Sequence, residues 1–122
     1  MSENKNLFSI KGILDSAEKI IDFSRPFSNA DDFFTDQKSF DAVCMNFILI
    51  GEMVDRISNE FKMKYSEIDW KSIKGLRNII AHDYFGVDAE EIWSIIDLHI
   101  PALIESIQKI IDSIMLNPEQ NL

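Results

Sequence analysis

Phe40, Val43, Phe47, Ile50, Val54 and Ile57 recur at spacings of 3, 4, 3, 4 and 3 residues. Only an α-helix brings such positions onto one side, and this rhythm is the seam of a packed helix pair. The spacing predicts a helix over about 38–58. A second stripe, Met45, Leu49 and Met53, lies on another side of it. A helix apolar over more than half its circumference is central in a bundle or is covered by a second subunit. Gly51, in its middle, costs about 1 kcal/mol against alanine unless another backbone must approach closely there. Glu52, one residue on, is a carboxylate in an apolar setting and a candidate partner for an arginine, with Arg77 the choice.

The rest of the chain has the same period. Leu7, Ile10, Ile13/Leu14, Ala17 and Ile20/Ile21 predict a first helix over about 6–24, ended by Arg25-Pro26. Asn29, Asp31 and Asp36 are candidate N-caps in the loop that follows. Residues 60–66 form a connection with some helical character. Asp69 caps a helix starting at Trp70, with Ile73, Leu76 and Ile80 inward and Gly86 breaking it. Asp88 with Glu91 makes an Asp variant of the capping box and opens a long last helix. Pro101 bends that helix, and Asn117-Pro118 stops it. Trp70 and Trp93 read as core anchors, and His99 as a packed or interfacial histidine. No stretch alternates like a strand. The expected fold is all-α: one domain over 1–122, core about 6–116, in an antiparallel four- to five-helix bundle kinked near Pro101.

One cysteine, Cys44, excludes an intramolecular disulfide and a thiolate zinc site, and fits a reducing cytosol. No apolar run approaches the roughly 20 residues of a membrane span, and the polar start is unlike a signal peptide, so a cytoplasmic protein with no membrane partner is expected. A net charge of −9 argues against a surface that grips nucleic acid everywhere. Half of the 12 basic residues nevertheless fall between Arg56 and Arg77: Arg56, Lys62, Lys64, Lys71, Lys74 and Arg77. An ordinary solvated face explains such a stretch equally well.

That stretch leads into Arg77-Asn78-Ile79-Ile80-Ala81-His82-Asp83-Tyr84, which joins a guanidinium, an amide, an imidazole and a phenol. Lys74, Asn78 and His82 share one helical stripe. Arg77 and His82, five apart, point roughly 140° away from each other on an ideal helix. They converge only if the helix loosens near His82 or if two chains contribute facing copies. Toward an RNA phosphodiester, a histidine can take the 2′-hydroxyl proton or give one to the leaving oxygen. An arginine offers a planar fork for phosphate oxygens. No metal is required, and Asp83 and Asp88 with one histidine form no recognisable metal set, so neither metal nor cofactor is expected. The plain structural alternative is that cations at a helix C-terminus are favoured by the macrodipole alone.

The segment Arg77–Tyr84 resembles the Arg-x4-His-x-Tyr motif of HEPN-domain proteins, in particular the HepT-like toxins. Ile50-Gly51-Glu52, Asp69-Trp70, Ile73, Gly75-Leu76, Val87-Asp88 and Trp93 agree with it, and the similarity runs from about residue 7 to 115. The resemblance implies an all-α homodimer acting as a metal-independent ribonuclease, with Arg77, His82 and Asn78 catalytic, Lys71 and Lys74 drawing in RNA, and Glu52 supporting Arg77. It also implies an MntA-like nucleotidyltransferase antitoxin that transfers AMP to Tyr84, placing phosphate charge and bulk beside the cluster. Phe8-Ser9-Ile10, where relatives often carry an acidic residue, and the acidic overall charge depart from the pattern. The competing readings are a non-catalytic nucleotide-binding or docking partner of a nucleotidyltransferase, and a purely structural helical dimer.

Overall fold

The computed structural model describes residues 2–116, with side chains from Lys5 onward. Its elements are α1 (Ser2–Ser24), α2 (Ala30–Thr35), α3 (Gln37–Arg56), α4 (Asn59–Lys64), α5 (Trp70–His82), a 3-10 turn (Tyr84–Gly86), α6 (Ala89–Leu98) and α7 (Ile100–Leu116). Among the described residues there is no strand, so the expected all-α bundle is the observed fold. None of these helices is long and apolar enough to cross a membrane.

The seam read from the sequence organises the molecule. Phe40, Val43, Phe47, Ile50 and Val54 are buried on α3 and meet Ile10, Ile13, Ala17 and Ile20 of α1. Each fully buried isoleucine contributes about 2 kcal/mol of gross apolar transfer, before entropy is counted. The pair is antiparallel: the Asn6 amide exchanges two hydrogen bonds with Ser58, at 3.1 and 3.0 Å, so the start of α1 lies at the end of α3. On its other flank α3 carries α5, also antiparallel, since Lys74 and Arg77 reach its C-terminal half and Tyr84 its first turns. α7 closes the bundle over α1 with Ile107, Ile110 and Ile114.

The caps follow local chemistry. Asn29, Asp36 and Asp69 accept backbone N–H groups of Asp32, Ser39 and Ser72, as expected. Asp31 lies inside α2 and caps nothing. The stretch 60–66 holds most of a short helix, α4, which starts at Asn59 and is capped by Ser58. Asp88 accepts from Glu90.

Three expectations need correction. α5 ends at His82, ahead of Gly86: Asp83 leaves the helical region and its carboxylate lies over Gly86, where a Cβ would overlap it. The last helix is two helices, parted at His99. Pro101 then falls in the first turn of α7, where a missing N–H leaves no helical bond unmade, so the proline starts a helix and does not merely bend one. Finally, Ile73 and Leu76 are only half-buried. They line a groove with Phe47, Ile50, His99 and Leu103, because α5 packs on α3 and stands clear of α7. The stop expected at Asn117-Pro118 lies outside the described residues.

Candidate functional site

α5 is anchored at its start and displayed at its end. The Trp70 indole donates to the carbonyls of Lys62 and Tyr65, both at 3.2 Å, which ties the first turn to α4. About two turns after Trp70, Arg77 meets α3 at Gly51. A Cβ on that glycine would overlap Cβ and Cγ of Arg77, so the helices touch there only because the side chain is absent. The cost noted for this glycine has its reason in that approach.

Each nitrogen of the guanidinium is engaged. It donates through Nη1 to Glu52, the partner expected from the sequence, through Nη2 to Asp55 at 2.7 Å, and through Nε to the Asn78 side-chain oxygen at 2.9 Å. The Arg77 side chain is 13% exposed. Asp55 also pairs with Lys74 at 3.1 Å. Desolvation acts to raise the Asp55 carboxyl, but hydrogen bonds and charge from Arg77 and Lys74 outweigh it and hold the group below the ordinary carboxylate value. The hydrogen bond to Asp55 is the largest influence holding Arg77 above its ordinary value. Asp55 was not anticipated. Its signal was its position three residues after Glu52, on the same face of α3.

His82 is placed differently. It is exposed on the last residue of a helix that stays regular to its end, with Asp83 N–H bonded to the Ile79 carbonyl at 2.9 Å. The helix therefore does not loosen, and within one chain Arg77 faces α3 while His82, roughly 140° round a regular α-helix, does not. Of the two routes to convergence, the one within a single chain is closed. Lys71 is exposed beside Asp69.

Tyr84 sits in the 3-10 turn, half-buried, its ring edge-on to Phe40 with centroids 6.1 Å apart. Its hydroxyl donates to Asp41, and Gln37 donates to the phenol oxygen at 2.7 Å. Desolvation first, then Asp41, pushes the phenol up to about 12. Neither α3 residue was anticipated. The same helix carries Cys44, whose thiol burial and then Asp41 push up to about 12, which leaves it inert.

Around the motif, apolar side chains reach solvent: Met45 and Leu49 on α3, Ile79 on α5 and Phe85 in the turn. The second α3 stripe thus stays partly open at Met45 and Leu49, while Met53 lies against Gly12. Among the described residues no cluster of three or more His, Cys, Asp or Glu is arranged to hold a metal ion.

A family model described as ribonuclease HepT-like matches residues 13–110. A provisionally named RNase of Methanocaldococcus jannaschii is 34% identical over 90% of this chain and 90% of its own length. A provisionally named ribonuclease HepT of Thermococcus cleftensis is 33% identical over 83% of this chain and 91% of its own. A third relative, a gamma-glutamylcyclotransferase and provisionally named RNase of M. jannaschii, is 37% identical over 86% of this chain, which spans about half (47%) of that longer protein. No solved structure matches at comparable significance.

Proposed function

The chain belongs to the HepT-like ribonuclease family, and on that premise we propose that it is a metal-independent endoribonuclease whose site is completed by a second copy. The observation that carries this reading is the exposure of His82 at the end of α5, among the uncovered apolar side chains Ile79, Phe85, Met45 and Leu49. Burying those groups against a partner copy would bring two motifs together and place a guanidinium and an imidazole on one phosphate. His82 takes the proton of the 2′-hydroxyl as its oxygen attacks phosphorus, and the 5′-oxygen leaves with a proton returned to it. Arg77 steadies charge building on phosphorus, Asn78 orients it through Nε, Glu52 supports its position, and Lys71 and Lys74 attract the strand. In the cytoplasm an MntA-like nucleotidyltransferase silences this toxin by adenylylating Tyr84, adding anionic bulk next to His82.

The test is cleavage of RNA in EDTA by protein made without its partner. Neither Arg77→Ala nor His82→Ala cuts alone. Mixed and re-associated, they recover about a quarter of the natural activity if each site takes one residue from each copy, because half the dimers are mixed and carry one intact site. Recovery of nothing, with mixed dimers present, places both residues in one chain. Silencing is tested with an MntA-like nucleotidyltransferase and ATP, where Tyr84→Phe remains active.

One observation favours a second reading, a non-catalytic docking or nucleotide-binding partner of a nucleotidyltransferase. The Arg77 fork is already satisfied by two carboxylates and an amide, in a chain of net charge −9. That reading predicts nucleotide binding with no RNA cleavage.

A further inference from the structure

Tyr84 does not stand alone on the surface: α3 offers it two side chains one turn apart. Gln37 and Asp41 are at i and i+4, so both project from the same face of the first turns of α3. The Gln37 amide donates to the Tyr84 oxygen at 2.7 Å and to Asp41 Oδ1 at 2.8 Å, while the Tyr84 hydroxyl donates to that same Oδ1. Three groups thus close on one another, and the carboxylate oxygen lies on the phenolic proton.

We infer that Asp41 is the general base for nucleotidyl transfer to Tyr84 and that Gln37 is the positioning residue that holds phenol and carboxylate in register. This rests on the reading of Tyr84 as the adenylylated residue. In the step, the phenol oxygen forms a bond to the α-phosphorus of a nucleoside triphosphate carried by the transferase. The bond from that phosphorus to the bridging oxygen breaks, pyrophosphate leaves with the electron pair, and the phenolic proton passes to Asp41. Gln37 continues to donate to the oxygen as negative charge passes through it.

The need for a base follows from the acidity of the group. With the phenol pushed up to about 12, roughly one molecule in 10⁵ is ionised at pH 7, so the proton must depart as the new bond forms. Among the described residues the other titratable group acting on the phenol is Cys44, whose buried thiol stays neutral.

The probe is diisopropyl fluorophosphate, a phosphorylating electrophile that needs no transferase, with labelling of Tyr84 followed by peptide mass spectrometry. In the natural protein the Tyr84 rate is flat from about pH 6 to 9, as for proton removal by a resident base. In Asp41→Asn it is at least about tenfold slower at pH 7 and climbs about tenfold per pH unit, as for free phenolate. Asp41→Glu recovers part of the rate. Position 41 is exposed, and unchanged circular dichroism with unchanged Tyr65 labelling excludes misfolding. An Asp41→Asn protein labelled at Tyr84 as fast as the natural one overturns the inference, as does a natural protein whose Tyr84 rate climbs with pH or is nil. A parallel incubation with an MntA-like nucleotidyltransferase and ATP separates the two ideas. If it leaves Tyr84 without AMP, the silencing reading fails, while the probe still decides the role of Asp41.

Discussion

The two ends of the motif are held in opposite ways. Arg77 is built into the scaffold: it sits over Gly51, 13% exposed, with three hydrogen bonds fixing its fork. His82 is displayed at a helix end on the open surface. The difference shows that one short motif can hold a residue whose charge is positioned by its own chain and another that the chain leaves open to solvent. A fixed cation with two carboxylates around it costs little to maintain when free. An exposed histidine stays accessible from solvent.

The sharpest way to break that contrast is to remove the displayed end. His82→Ala is expected to cut RNA cleavage by about 10²- to 10⁴-fold, the scale of a lost general base, while changing unfolding stability by less than about 0.5 kcal/mol. A large stability loss in urea would mean that His82 is part of the scaffold after all. The built-in end should behave in reverse. Gly51→Ala forces Arg77 and α5 away from α3 and is expected to cost about 1–3 kcal/mol in denaturant titrations. An unchanged midpoint would show that α5 rides free of α3.

Smaller effects follow from charge. Asp55 is held below the ordinary value of 3.8 in the folded chain, so it contributes stability fully above that value. The contribution is lost as pH falls through the depressed folded value. Asp55→Asn should therefore be less stable than the natural protein at pH 7, with the gap closing in acid below about 3.8; thermal melts across that range measure it. The smallest effect is spectroscopic. Tyr84, raised to about 12, should ionise later than a free phenol when followed by ultraviolet absorbance. Asp41→Asn should lower that value without restoring 10, because desolvation, the larger cause, remains. A Tyr84 that titrates identically in both proteins would dissolve the Asp41 contact.

Much of the frame was legible because it depends on neighbours in sequence. The 3-4 rhythm of α3, the caps at Asn29, Asp36 and Asp69, and a proline that interrupts the last helix are local rules applied to local residues. Glu52 was legible for another reason: a carboxylate beside a glycine on an apolar helix has few explanations, and the arginine of the polar cluster, Arg77, was the partner chosen. Asp41 was not, since 21 acidic residues offered no local reason to choose it, and Asp55 was passed over although it lies three residues after Glu52. The half-exposure of Ile73 and Leu76 was equally hidden, because a stripe of apolar side chains does not say how many neighbours cover it.

By itself the sequence determined that this chain is helical, where most of its helices begin, and that Arg77, Asn78 and His82 ride on one of them. Periodicity and capping act over three or four residues, so they survive without knowledge of the fold. Only the tertiary structure decided that α5 runs antiparallel to α3, that Asp55 joins Glu52 on the guanidinium, and that Asp41 and Gln37 hold the phenol. Those contacts join residues 22 to 47 positions apart, and packing alone brings such distant side chains within hydrogen-bonding reach.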